Sequence, residues 1–434
     1  MCKRYGVMLV IATAMLTGYG NPGPALAVEV SEADLKALQE LVIRQQQQLD
    51  AQAGQIRALN DRLDSVLGKT EQNTASIAAK ADRQEVEKLQ GDKLVSSKVP
   101  KVDVTLYGQI NRAGLWADNG DSSRVYFVDN NFSSTRLGLD AVAAATEWLN
   151  VGGKLEYEVI SNNSMDVNQL EEDTTASLKL RHADAFVESK TFGKVSLGQG
   201  STSSDGSAER DLSGSTVVSY SAVQDQAGGQ KWYDGISDTL LTSQVKNVID
   251  NMDGLSRRDR IRYDSPVFSG LQLSASAIES GAFDSTLSYS RKYGETTVAA
   301  ALAYALSGDL SKWDDQYDGS VSILLPSGLN FTVAGGFQQF DPADRNDADY
   351  WYAKIGYKTQ LFSPGITAFA VDYGMWNELE LNEDEAQSIG LAFVQDVADW
   401  GTEFYLAYRL YTLDREGISA DDVNTVMGGA RVKF

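Results

Sequence analysis

Thr425-Val-Met-Gly-Gly-Ala-Arg-Val-Lys-Phe434 stands at the carboxy end of the 434-residue sequence. With period two, Val426, Gly428, Ala430, Val432 and Phe434 share one face, and Thr425, Met427, Gly429, Arg431 and Lys433 share the other. A strand with one apolar and one polar face suits the wall of a transmembrane barrel, with lipid outside and water within.

The same period governs everything from Val102 onward. Candidate strands cover 102–116, 133–144, 151–161, 177–189, 194–200, 257–264, 271–278, 283–292, 296–306, 317–325, 329–338, 350–360, 366–373, 387–395, 402–412 and 423–434. They number about sixteen, and single-chain bacterial barrels need an even count. Long acidic or polar links (118–121, 341–349, 378–385) alternate with short ones (191–193, 293–295, 326–328). That asymmetry predicts an all-β, antiparallel transmembrane barrel whose tight turns face the periplasm, on the side of the amino-terminal linker. Trp116, Trp351 and Trp376 at long-loop ends, with Trp148 and Trp400 in short turns, suggest aromatic girdles; Trp232 and Trp313 fall in loops and do not fit.

Upstream the grammar differs. Lys3 and Arg4, an apolar run over 7–16 and Ala25-Leu-Ala27 read as a secretory signal peptide, 1–27. No later stretch offers about 18 uninterrupted apolar residues, so no transmembrane helix is expected. The lone Cys2 lies in the segment expected to be removed, leaving neither disulfide nor lipid anchor. Acidic residues outnumber basic ones 60 to 38, which argues against a nucleic-acid partner because phosphate binding needs clustered Lys and Arg.

Leu35, Val42, Leu49, Ile56, Leu63 and Ile77 recur at multiples of seven, with Thr70 in the gap; Leu38, Gln45, Gln52, Leu59, Val66 and Asn73 fill the companion positions. The heptad stretch, from about Ser31 to Ala79, predicts an α-helical rod of roughly 70 Å at about 1.5 Å per residue; the coiled-coil segment as a whole is set at 31–90, followed by a linker over 91–101. A single amphipathic helix lying on a partner is the alternative, and self-association is favoured because so narrow an apolar stripe gains little alone.

Val104-Thr-Leu-Tyr-Gly108, Ser133-Ser-Thr-Arg-Leu-Gly-Leu139, Gly152-Gly-Lys-Leu-Glu-Tyr157 and Phe192-Gly-Lys-Val-Ser-Leu-Gly198 occur in that order. With the terminal Phe434, residues 102–434 resemble the general bacterial porins, the trimeric sixteen-stranded channels of the Gram-negative outer membrane. The heptad segment is similar to that of a smaller group in which a periplasmic coiled coil precedes each barrel. The resemblance implies a homotrimer among outer-membrane lipid and lipopolysaccharide, passing small hydrophilic solutes and ions by passive diffusion without catalysis or cofactor. A channel preferring small organic acids, and a barrel that mainly anchors a periplasmic tether, are the competing readings. The rod could reach the cell wall, making peptidoglycan a candidate partner.

The longest gap between strands, about 201–256, is by that resemblance the loop that folds inward and narrows the pore. It carries Asp205, Glu209 and Asp211. On 257–264, Ile261 and Tyr263 mark the lipid face, leaving Arg258, Arg260 and Arg262 toward the lumen, with Arg257 at the rim; arginine on the lipid side would cost roughly 2 to 4 kcal/mol at the midplane. Leu137 and Leu139 likewise turn Arg136 inward, and Leu178 and Leu180 turn Lys179 and Arg181 inward. The six cations could form a wall opposite the three acids. Alternatively, the arginines pair with nearby acids such as Asp140, Glu156 or Asp259 and stiffen the wall.

His182, the only histidine, sits where the alternation slips, so a bulge or a pore-lining role outweighs a catalytic one. The acidic loops 314–318 and 341–349 lack the spacing of a calcium-binding EF-hand loop and read as solvated charge, weak bridging of divalent cations to lipopolysaccharide being the alternative.

Overall fold

A computed structural model describes residues 101–341 and 345–434; the signal peptide, the coiled coil and nearly all of the linker lie outside the described residues. Within them the strands are β1 (Val102–Asp118), β2 (Ser123–Asp129), β3 (Arg136–Ala144), β4 (Leu149–Ile160), β5 (Ser177–Ser189), β6 (Gly193–Ser201), β7 (Lys231–Asp234), β8 (Thr239–Gln244), β9 (Arg257–Asp264), β10 (Leu271–Ile278), β11 (Phe283–Tyr293), β12 (Thr296–Leu306), β13 (Asp315–Leu324), β14 (Leu329–Gln339), β15 (Ala348–Thr359), β16 (Thr367–Asn377), β17 (Glu385–Val397), β18 (Thr402–Asp414) and β19 (Val423–Lys433). Every neighbouring pair in the wall is antiparallel, and β1 pairs with β19 from Gln109↔Lys433 to Asp118↔Asn424. The sheet therefore closes on itself and leaves no edge to aggregate.

β2 and β3 both pair with β1, the first through Arg112↔Asp129 and upward, the second through Gln109↔Arg136 and downward. They are one wall strand interrupted by a short 3-10 turn, Asn131–Ser133, and with that count the closed barrel has sixteen strands. Asn130 caps the turn through its side-chain oxygen. Gln109 donates to the carbonyls of Ser133 and Ser134 at 2.9 and 2.7 Å, and Asn111 donates to Ser133 O at 2.9 Å. Two interior amides thus satisfy carbonyls that the broken ladder leaves over.

Side chains alternate as lipid and lumen require. Leu137, Leu178, Ile261, Tyr263 and Val432 are exposed on the outer face, while Thr425 and Met427 of the terminal strand are buried inside. Trp148, Trp400 and Trp351 are exposed outside, as girdle residues are, but Trp376 is not. It turns inward, stacks on Tyr350 at 6.1 Å and donates its indole N–H to Asp250 O at 2.9 Å. Parity explains the reversal: Trp376 pairs with Tyr350 and Ala386, both of which face the interior.

The long insertion between β6 and β9 is folded and lies inside the barrel. Val217, Val218, Val223, Trp232, Val245, Ile249 and Met252 are buried and share one apolar cluster with Tyr350, Tyr352, Tyr405, Tyr411 and Met427 of the wall. Burial of this kind stabilises by about 25 cal/mol for each Å² of apolar surface removed from water. The hairpin β7–β8 within the insertion reaches the loop after β18, where Ser419 N donates to Asp234 Oδ1 at 3.0 Å. Among the described residues, no helix is long and apolar enough to cross a membrane.

Candidate pore constriction

Two buried ion pairs fix the insertion to one side of the lumen. Lys354 on β15 donates to Asp211 Oδ2 at 2.7 Å and to Ser219 O at 2.6 Å, with both charged side chains essentially out of solvent. Arg409 on β18 grips Asp372 on β16 at 2.6 and 2.8 Å, and Asp372 accepts from Ser219 Oγ at 2.8 Å. Asp284 on β11 accepts from Ser203 Oγ at 2.7 Å and Ser204 Oγ at 2.6 Å. Tyr411 donates to Val223 O at 2.8 Å. All these anchors are on β11, β15, β16 and β18, so the far edge of the insertion faces β3–β5 and β9 across a gap.

That gap is a cavity of about 460 Å³ in the loop-side half of the barrel. Arg136, Lys179, Arg181 and Arg257 line it from the wall, together with Glu158; Asp205, Glu209, Asp225, Asp250 and Asp253 line it from the insertion. Arg257 and Asp205 meet across it at 3.3 Å. The cations are not equally free. Arg181 Nε donates to Glu156 at 2.6 Å and Nη1 to Glu158 at 3.1 Å, while Arg136 lies 3.9 Å from Glu156 and donates to Ser134 O and Ser133 Oγ. Lys179 makes no ion pair among the described residues.

The insertion's acids crowd one another. Burial, then the charges of Asp205 and Asp225, pushes the Glu209 carboxyl up to about 8. Burial pushes Asp225 up to about 7, against hydrogen bonds from Asn131 and Tyr220 that favour its charged form. Burial, then Glu209 and Asp205, holds Asp253 well above the usual carboxylate range, although it accepts from Gly206 N and Ala208 N. Basic wall and acidic loop thus face each other over water, with part of the acidity titrating near neutrality.

Of the nine residues singled out from sequence, the structure gathers Arg136, Lys179, Arg181, Asp205 and Glu209 around this one cavity. Asp211 is elsewhere, sequestered by Lys354. Arg258 donates to Leu255 O at 3.3 Å and is not among the residues lining this cavity. Arg260 and Arg262 face the lumen lower down, bound to Asp184 at 2.6 Å and Asp264 at 2.7 Å. Arg257, read as a rim residue, is in the cavity. Glu156, offered from sequence only as a pairing partner for the arginines, is one, holding Arg181; Glu158 was missed, although its alternation with outward Tyr157 marked it as inward-facing. His182 lies beside a β-bulge, where the register with β4 shifts and Arg181 is the extra residue, so that both side chains point inward.

The sequence model of the Gram-negative porin family matches residues 74–416. The chain belongs to that family. As a Gram-negative porin it is an outer-membrane barrel forming a channel for passive diffusion. Among solved structures, the anion-selective porin from Comamonas acidovorans shares 15% identity at a TM-score of 0.51, covering 77% of this chain and all of that one. The outer-membrane channel DcaP of Acinetobacter baumannii shares 15% at 0.50, covering 78% and 99%. OprB of Pseudomonas putida shares 11% at 0.51, covering 77% and 94%. These likenesses establish the fold. No curated protein matches.

Proposed function

We propose that the porin passes small hydrophilic solutes and ions through a constriction formed by Arg136, Lys179, Arg181 and Arg257 on the wall and Asp205, Glu209 and Asp225 on the inserted segment. The observation that carries this reading is their opposition across a single cavity of about 460 Å³. Opposed charges in a narrow aqueous gap set up a transverse field that orients dipolar solutes and biases ion selectivity. Because the insertion occupies the lumen and is anchored to β11, β15, β16 and β18, the passage is eccentric and narrower than an open sixteen-stranded barrel. Arg258, Arg260, Arg262 and Asp211, by contrast, act in this reading as wall and anchor residues.

The barrel sits, in this reading, among outer-membrane lipid and lipopolysaccharide, supported by its many exposed apolar side chains, and as a homotrimer, supported by membership of the porin family. The chain carries, in the same reading, the signal peptide, and a periplasmic coiled coil that tethers the barrel toward peptidoglycan, supported by the heptads of the segment 31–90. Planar-bilayer recording tests the channel. Conductance steps grouped in threes, with a reversal potential that moves on Arg257→Gln and Lys179→Gln, are expected. Selectivity and conductance unchanged in both variants would sink the constriction.

A further inference from the structure

The bulge at Arg181 and His182 sends these consecutive side chains to different places. Arg181 lines the upper cavity, whereas His182 lines a second one, of about 440 Å³, lower on the same wall toward the short turns. Two of the cations in the lower cavity are spent. Arg260 donates to Asp184 at 2.6 Å, Gly198 O at 2.7 Å and Ser201 O at 2.9 Å. Arg262 is held by Asp264 at 2.7 to 3.1 Å and donates to Thr202 O at 2.5 Å.

Two others are not. Lys194 Nζ stands 4.1 Å over the Phe186 ring and makes no ion pair among the described residues. Lys154 Nζ stands 5.1 Å over the Tyr107 ring, and its nearest carboxylate oxygen, on Glu156, is at 4.0 Å, beyond hydrogen-bond reach. The buried Nδ1 of His182 finds no partner among the described residues. Asp140, opposite Lys154 in the β3–β4 register, is the one lining carboxylate outside the two arginine pairs. Val142 and Phe186 supply an apolar floor.

We propose that this lower cavity is a second station on the solute path, binding a small oxyanion, carboxylate or phosphate. Its oxygens accept from the ammonium groups of Lys154 and Lys194. An ammonium offers three donors, and hydrogen bonds between opposite charges are about twice as strong as neutral ones. Lys194 rests on its ring and is paired to no acid among the described residues, and Lys154 is held only loosely by Glu156 at 4.0 Å, so an arriving anion displaces water and loosens at most that one long contact. The station lies below the constriction and rests on the pore reading for its access, not for its chemistry.

The full chain in detergent micelles, titrated with inorganic phosphate and followed by phosphorus-NMR line broadening, tests binding without requiring conduction. The same titration with acetate, followed through its methyl protons, tests the carboxylate. Wild-type protein is expected to broaden both signals saturably, and Lys154→Gln/Lys194→Gln to require about tenfold more ligand, the loss of about 1.4 kcal/mol. Lys194→Gln alone, at a half-exposed position, should give a smaller shift in the same direction and guards against a folding defect in the double variant. Equal broadening in wild type and variants, or a loss seen only with Lys179→Gln and Arg257→Gln in the upper cavity, would overturn the station. Intact binding in a protein that carries no current would overturn the pore reading and leave the station standing.

Discussion

Gly108 and Phe434 exchange both backbone hydrogen bonds, at 2.9 and 3.0 Å, and the Phe434 ring occupies the space where a side chain on Gly108 would begin. A Cβ at Gly108 would stand 2.7 Å from the ring and 2.9 Å from Arg136 O. The final residue therefore extends the β1–β19 ladder by one pair, and glycine is what lets its aromatic ring lie flat on the first strand. Gly108→Val should displace the ring and weaken the closing seam by about 1 to 3 kcal/mol, as overpacking does. Heat-modifiable electrophoretic mobility reads the loss. Gly114→Ala, with open space around it, should melt like the parent.

Arg181→Gln leaves Glu156 and Glu158 without their principal cation. The wall should then present uncompensated negative charge, and the zero-current potential in a potassium chloride gradient should move toward the potassium value. Arg260→Gln strands a single carboxylate, Asp184, away from the upper cavity, and should move it less.

Lys354→Met strips the buried Asp211 of its partner. Removing one half of a buried pair costs about 3 to 5 kcal/mol, and here that cost falls on the attachment of the inserted segment. Open-channel noise should rise and the melting temperature fall. Adding Asp211→Asn to Lys354→Met removes the stranded charge and should recover much of the melting temperature.

Selectivity should depend on pH. Glu209 at about 8 and Asp225 at about 7 are raised, so each is neutral below its pKa and charged above it. As pH climbs from about 6 to 9 the insertion gains negative charge and the channel should become more cation-selective. Glu209→Gln should flatten the upper part of that curve, measured as zero-current potential against pH.

Most of the wall was legible because period-two alternation is local. The breaks were not. The run 123–129 alternates Arg124, Tyr126 and Val128 with Val125 and Phe127, yet it lay between turn signals and read as loop. It is half of an interrupted strand, and Asn130-Asn131 supply the turn that splits it. Hairpin β7–β8 was hidden for the same reason, inside a stretch defined only by its length. Trp376 was placed outside because a tryptophan near a strand end suggests a girdle, whereas its parity with Tyr350 turns it inward to hold Asp250.

The residues by themselves determined the number of wall strands, the face on which most wall side chains stand and the charge borne by the inserted segment. A period of two is written into neighbouring positions, and the cost of charge against lipid selects the side. Only the tertiary structure decided which charges remain available to a solute. Lys354 and Asp211 are 143 positions apart, and Arg181 and Glu156 are 25 apart on different strands. Alternation tells which residues share the lumen, but ion pairing depends on height, register and a bulge, and those exist only once the barrel has closed around its insertion.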